Sequence, residues 1–306
     1  MNLSPINQTK LYGLENYLNE FIRLYKVNEL PNKILLSGLK GIGKCTLAYH
    51  LINYILSQKE DYSYNLTELT INDENKTFKL IQNGTCPNFN LIDINSDKKS
   101  IDINQIRDLI NNLNKSSFNS KPRFVLIDNI EYLNLNSVNA LLKILEEPND
   151  NINFILIHNN KKVISTLLSR CLNFKIPLNN NQIYKINHSL FHDNLHNLIN
   201  DDFINYYNTP GNIYNLLKFA KNKEIDLKEI NLKEFLSLMI NKSYYKEDIM
   251  TKNLLYDLVE FFILKNLSVF YSDLSSYFFK KIKKTKNFNL DDESLFLEIN
   301  SKLLNE

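Results

Sequence analysis

A chain of 306 residues with a 43% hydrophobic and a 23% charged share has the make-up of an ordinary globular protein, long enough for two or three domains. Its formal net charge of +2 excludes a surface that draws nucleic acid by bulk electrostatics, so any such contact must be local or supplied by partners. Three cysteines (Cys45, Cys86, Cys171) with no CxxC pair argue against a disulfide framework and a four-cysteine zinc site, and fit a reducing cytosol.

Met1 leads into a polar segment with no apolar signal core, which predicts an intracellular, cytoplasmic protein. Periodicity predicts a helix from Leu14 to Leu30, with Leu14, Leu18, Phe21, Ile22 and Tyr25 on one face and Pro31 as its breaker. Ile34-Leu35-Leu36 reads as a short strand running straight into Gly38-Leu39-Lys40-Gly41-Ile42-Gly43-Lys44-Cys45-Thr46. A helix follows with Leu47, Leu51, Tyr54 and Ile55 in register. Strand, glycine loop, helix is the setting of a phosphate-binding loop. The chain has six glycines, and three of them, Gly38, Gly41 and Gly43, fall within this loop. Glycines let successive N–H groups turn inward on phosphate oxygens at the positive end of the helix, and Lys44 would sit on the β- and γ-phosphates. A plain glycine-rich turn is the alternative. Cys45 stands where the pattern has Ser or Thr, and a thiol is a poor ligand for magnesium. Thr46, one residue on, points elsewhere around the helix.

Lys59 to Asn83 reads as a polar, irregular insertion with a weak hairpin or helix, followed by a turn at Asn83-Gly84-Thr85-Cys86-Pro87. Leu91 to Ile94 is the next expected strand. Asp102 is placed to cap a helix with Ile103, Ile106, Ile110 and Leu113 on its core face. The apolar run Phe124 to Ile127 ends on Asp128. A helix carries Val138, Leu141, Leu142 and Leu145 on one face and stops at Pro148. A second apolar run, Phe154 to Ile157, gives way to His158-Asn159-Asn160. Apolar runs separated by a helix predict central strands of a parallel sheet, with an acid at the carboxyl end, where ligands of such sheets bind. Glu131 reads as a solvated loop acid. Ser169-Arg170-Cys171 precedes a short strand at Phe174 to Pro177 and a polar linker. Short helices are expected from Gln182 to Glu224, one of them starting at Thr209-Pro210-Gly211, and a helical bundle from Leu227 to Leu304. Leu254 to Leu274 is strongly apolar but carries Asp257, Glu260, Lys265 and Asp273, which predicts a buried helix and not a membrane span. The basic run Lys280 to Lys286 reads as a solvated helix end, with contact to DNA or an acidic partner as the alternative. His188, His192 and His196, spaced by four, read as exposed residues before a metal site, since no acid or cysteine accompanies them at fixed spacing.

Gly41-Ile42-Gly43-Lys44 with Leu47-Ala48-Tyr49, then Asn139 to Pro148 (NALLKILEEP), then Ser169-Arg170-Cys171 resemble, in that order and spacing, the bacterial clamp-loader subunits of DNA polymerase III. The resemblance covers residues 5 to about 220 and is to the delta-prime type. It implies an α/β fold: an AAA+ P-loop domain with a parallel sheet over 1–178, a small helical lid over 179–224 and a helical collar over 225–306. The implied partners are clamp-loader ATPase subunits and the delta subunit in a hetero-pentameric ring, with the sliding clamp and primed DNA met through the assembly and no membrane. In related subunits the SRC arginine reaches the ATP of a neighbour, and Arg170 matches it. Gly38, Gly41, Gly43, Lys44, Cys45, Thr46, Asp128 and Asn159 fall at the positions of the nucleotide site. Asn159 falls at the position that touches the γ-phosphate, and a strand-end turn residue is its plain reading.

Three departures stand out. Asn129 replaces the glutamate that takes a proton from the attacking water, Cys45 replaces the magnesium hydroxyl, and Gly211 falls near the place of the lid arginine. They imply weak or vestigial binding of ATP or ADP and no turnover by the chain alone. The alternative is an active gamma- or tau-like motor using Lys44, Asp128 and Thr46. The family's four-cysteine zinc module has only Cys86 here, so zinc is not expected.

Overall fold

The computed structural model describes every residue except 1–3, 95–97, 99, 116–118, 148–150, 160–164, 192, 194, 205–208, 268–271, 289 and 305–306. Pro148, Asn160 and His192 thus lie outside the described residues. The elements run in order: α1 (Glu15–Lys26), β1 (Lys33–Ser37), α2 (Lys44–Leu56), α3 (Lys76–Gln82), β2 (Phe89–Asp93), α4 (Ile103–Leu113), β3 (Arg123–Asp128), α5 (Leu135–Glu146), β4 (Ile152–His158), α6 (Ser165–Leu168) and β5 (Leu172–Lys175). After these come α7 (Asn180–Phe191), α8 (Leu195–Leu198), α9 (Pro210–Asn222), α10 (Leu232–Asn241), α11 (Ile249–Lys265), α12 (Ser272–Phe288) and α13 (Asp292–Ile299). The chain divides into two units: 1–186 with 209–211, and 187–208 with 212–306.

The first unit is built on a five-stranded sheet in the order β2-β3-β4-β1-β5, with every neighbouring pair parallel. Alternate residues of a strand face opposite sides, so an apolar run of four feeds two cores at once. On β3, Phe124 and Leu126 join the cluster that holds α1 and α2, while Val125 and Ile127 join the one that holds α4 and α5. On β4, Ile155 and Ile157 take the first side, Phe154 and Leu156 the second. Burying each such side chain contributes roughly 1.5–3 kcal/mol.

Local sequence signals set the element ends. Asp102 caps α4 with a full capping box, its side chain accepting from the N–H groups of Asn104 and Gln105 while Gln105 reaches back to the Asp102 N–H. The core face of α4 is Ile106, Leu109 and Leu113. Helix α1 ends at Lys26, four residues short of the expected Leu30, because Asn28 adopts a left-handed backbone (φ 59°) that asparagine tolerates and a helix cannot continue through.

Helix α2 is buried from Leu47 through Leu56, not on one face alone. His50 and Asn53 sit inside that run and must find partners. The 59–83 insertion supplies them. Asn53 Nδ2 donates to Asn75 Oδ1 at 2.9 Å, and Asn75 Nδ2 donates to the Tyr62 carbonyl at 2.6 Å. Asn75 also caps α3, accepting from Phe78 N–H. His50 Nε2 lies 3.2 Å from the Gln8 carbonyl, which can only accept, so Nδ1 is the acceptor for the Tyr64 hydroxyl at 2.8 Å. The neutral imidazole thereby joins α2, the amino-terminal segment and the insertion.

Burial pushes the His50 pKa down to about 4, below its ordinary value. Between the two values the unfolded chain takes a proton that the folded chain refuses. Stability is therefore complete near neutrality and falls as pH drops from about 6.5 to about 4, by about 3 kcal/mol for this group. Urea midpoints at pH 7 and pH 4.5 test this: the drop on acidification should shrink in His50→Gln, and an equal drop in both proteins rules the effect out.

The second unit is helical. Residues of α8 through α13 and their connections share one core, in which Phe235 meets Phe203 and Phe219 edge-on at ring separations of 5.5 and 5.9 Å. Leu232, Phe235, Leu236 and Met239 are buried on α10, and Leu255, Leu258, Val259 and Phe262 on α11. Among the described residues no helix is long and apolar enough to cross a membrane. In the basic run on α12, Lys280, Lys283 and Lys284 are exposed, while Lys281 pairs with Glu298 and Lys286 with Glu260.

Candidate functional site

The loop after β1 opens at Gly38 and turns into α2 at Gly43. Gly41 (φ 83°) and Gly43 (φ 91°) both hold left-handed backbones that side-chain-bearing residues avoid, and Gly43 is the amino-cap of α2. The first N–H groups of α2 at this end have no acceptor within the helix. Lys44 is 3% exposed, and its Nζ donates to the carbonyls of Gly38 (3.0 Å) and Leu39 (2.6 Å). Burial lowers its pKa to about 8, opposed by the nearby charges of Asp128 and Glu131. Thr46, the third residue of α2, sits about 100° around the helix from Cys45.

Asp128 ends β3, beside Asp93 at the end of β2. The Cys45 thiol donates to the Asp128 carboxylate. Burial raises the Asp128 pKa, which the Cys45 hydrogen bond and Lys44 oppose. Burial, then the Asp128 charge, pushes the Cys45 thiol well above its ordinary value. Asp93 is pushed up to about 6, chiefly by burial and with Asp128 adding to it. The helix start and the buried lysine fit a phosphate, but this donor set does not fit magnesium. A neutral thiol stands where the ion needs a hard oxygen. Among the described residues no group of three or more His, Cys, Asp or Glu is placed to hold a metal ion.

Asn129 and Asn159 are brought together: Asn159 Nδ2 donates to Asn129 Oδ1 at 2.5 Å. Glu131 joins them, contrary to its reading as a solvated acid. Its side chain is 5% exposed, Oε1 accepts the Asn159 N–H and lies 3.8 Å from His158 Nε2, and Oε2 is buried without a partner. The cause is a single 3₁₀ turn over Ile130–Tyr132, which folds the side chain back toward the end of β4. Gly211 lies against the loop, its N–H donating to the Gly41 carbonyl at 2.9 Å. A Cβ at Gly211 would stand 2.8 Å from Gly41 Cα, so the backbone contact is open to glycine alone.

Arg170 lies elsewhere in the first unit. It follows α6 and stands two residues before Leu172, which pairs with Ile34 at the start of β1, whereas Gly38 follows the end of β1. At about 3.3 Å per residue this register puts Leu172 roughly 13 Å along the strand direction from Gly38, and Arg170 precedes it in a turn. Its guanidinium is held there. Nε donates to Glu146 Oε1 at 2.8 Å, Nη2 donates to the same oxygen, and Nη1 donates to the Thr166 carbonyl at 2.6 Å. The sequence does not single out Glu146, and its only signal is the acid within LEEP. Neighbouring Cys171 is pushed up to about 11 by burial.

Residues 13–180, more than half the chain, match the family described as DNA polymerase III, delta subunit. The chain belongs to this family of clamp-loader AAA+ subunits. Over 175 residues it is 31% identical to DNA polymerase III subunit gamma of Buchnera aphidicola subsp. Schizaphis graminum, a stretch covering 57% of this chain and 46% of that one. The delta′ subunit of Pseudomonas aeruginosa is 32% identical over 145 residues, 47% of this chain and 42% of that one. The delta′ subunit of Buchnera aphidicola subsp. Baizongia pistaciae is 30% identical over 192 residues, 60% and 53% of the two chains. The matched stretch spans about half the length of these relatives, and the names gamma and delta′ occur at similar identity.

Proposed function

We propose that this clamp-loader subunit is a delta-prime-like stator that lends Arg170 to the nucleotide of a neighbouring ATPase subunit and does not turn over ATP itself. The observation that carries the reading is the position of Arg170. It lies at the amino ends of the strands while the phosphate loop lies at their carboxyl ends, so its guanidinium is out of reach of the chain's own pocket. A permanently charged, planar group at a domain edge suits phosphate oxygens presented by another subunit, where it stabilises charge on the transferred phosphoryl group. The disarmed pocket supports the same reading. Asn129 cannot accept a proton, Cys45 engages Asp128, and Gly211 closes on the loop backbone. Nucleotide held there is weak or vestigial.

In this reading residues 1–178 form the AAA+ domain, 179–224 the lid and 225–306 the collar of a cytoplasmic hetero-pentameric ring. The ring contains ATPase subunits and the delta subunit, and places the sliding clamp on primed DNA. The match to subunits named gamma favours a second reading, a gamma- or tau-like motor. Reconstitution with the other loader subunits of the same organism separates them. The stator reading expects co-elution in one complex whose DNA-stimulated ATPase depends on Arg170. Failure to co-elute, or activity indifferent to Arg170, overturns it.

A further inference from the structure

The last residue of α5 meets the SRC arginine. Glu146 Oε1 accepts from both Nε and Nη2 of Arg170, and the Thr166 carbonyl accepts from Nη1. A guanidinium carries five N–H bonds, of which these contacts engage three. Two remain, one on each terminal nitrogen. The Arg170 and Glu146 side chains are 31% and 56% exposed, and an ion pair that wet contributes little to holding a fold together. What the contact does instead is restrict a long side chain. The carboxylate takes the Nε–Nη2 edge and the carbonyl takes the other nitrogen, so the head is held in one orientation.

We propose that Glu146 is the positioning residue for Arg170, turning the two remaining N–H groups toward a phosphoryl oxygen of the nucleotide held by a neighbouring subunit. This rests on the reading of Arg170 as a residue acting in trans. The motif residues Leu141, Ile144 and Leu145 anchor α5 in the core, so the carboxylate that ends the helix stands on a rigid base. The two sequence motifs of the chain thus form one device, the first supplying the support and the second the cation.

The test uses the reconstituted complex with Glu146→Ala, Glu146→Gln, Arg170→Ala and the double variant Glu146→Ala/Arg170→Ala, reading kcat and KM for DNA-stimulated ATP hydrolysis. Loosening a group that must meet a transition state costs about 10- to 100-fold, and Glu146→Ala should lose that much in kcat with KM for ATP unchanged. Glu146→Gln keeps an acceptor oxygen and should stay within about 3-fold of the unaltered complex. In the Arg170→Ala background Glu146→Ala should have no further effect. Full turnover by Glu146→Ala while Arg170→Ala is impaired overturns the positioning role, as does an effect that simply multiplies with that of Arg170→Ala. Full turnover by Arg170→Ala alone removes the underlying reading and this proposal with it, an outcome visible without any Glu146 variant.

Discussion

A clamp loader rebuilt with Arg170→Ala should assemble normally and lose DNA-stimulated turnover at the adjoining ATP site by roughly 10³-fold, the scale of an arginine supplied across an interface. Assembly should survive because the side chain is part-exposed and its partners, Glu146 and the Thr166 carbonyl, are surface groups of the same unit. Losing an ion pair of this exposure shifts stability by about 1 kcal/mol at most, too little to unfold the chain. Arg170→Lys should rescue little, since an ammonium cannot engage Glu146 and a phosphoryl oxygen through separate edges of one plane. The measurement is steady-state ATPase with and without primed DNA, alongside gel filtration of the complex. Turnover equal to that of the unaltered complex would take the role away from Arg170 however well the ring assembles.

What the sequence revealed, and what it hid, divides along the range of the interactions. Runs such as Phe124 to Ile127 announce central strands because a two-sided burial leaves no polar position, and the structure seats them side by side in a parallel sheet. The phosphate loop was legible because Gly41 and Gly43 are demanded by backbone angles, a local constraint. Glu131 was misread for the opposite reason. Three residues after Asp128 in sequence, its surroundings are set by a single 3₁₀ turn and by β4, which follows more than twenty residues later. The 59–83 insertion looked irregular because its order comes from partners outside it. His50 and Asn53 on α2 supply the hydrogen bonds, and the hint available was a pair of polar residues three apart within the otherwise apolar and aromatic run Leu47 to Leu56. Glu146 belonged to a recognised motif, but its contact with Arg170 spans 24 positions, and no pattern of spacing discloses a side-chain pair of that separation.

Purified alone, the chain and its Lys44→Ala variant should hydrolyse ATP at the same background rate. An amide at position 129 cannot take the proton of an attacking water, which by itself costs about 10²- to 10⁴-fold. The geometry ties that amide down as well, since Asn129 Oδ1 accepts from Asn159 Nδ2. Glu131 is also near, yet its Oε1 is committed to the Asn159 N–H and its Oε2 is buried. Lys44 is engaged by carbonyls of its own loop, and the thiol of Cys45 engages the carboxylate that would otherwise help place a metal. Restoring one group should therefore not restore the reaction. Asn129→Glu should remain at background because the thiol is still there, and Cys45→Thr because the base is still missing. Gly211→Arg should lower stability without adding activity, because a Cβ there would stand 2.8 Å from Gly41 Cα and push the loop apart. Malachite-green assays of these variants, each against Lys44→Ala, decide between the readings. Brisk turnover by the unaltered chain that disappears with Lys44 would make this subunit a motor, and the proton would then have to pass through a group other than residue 129.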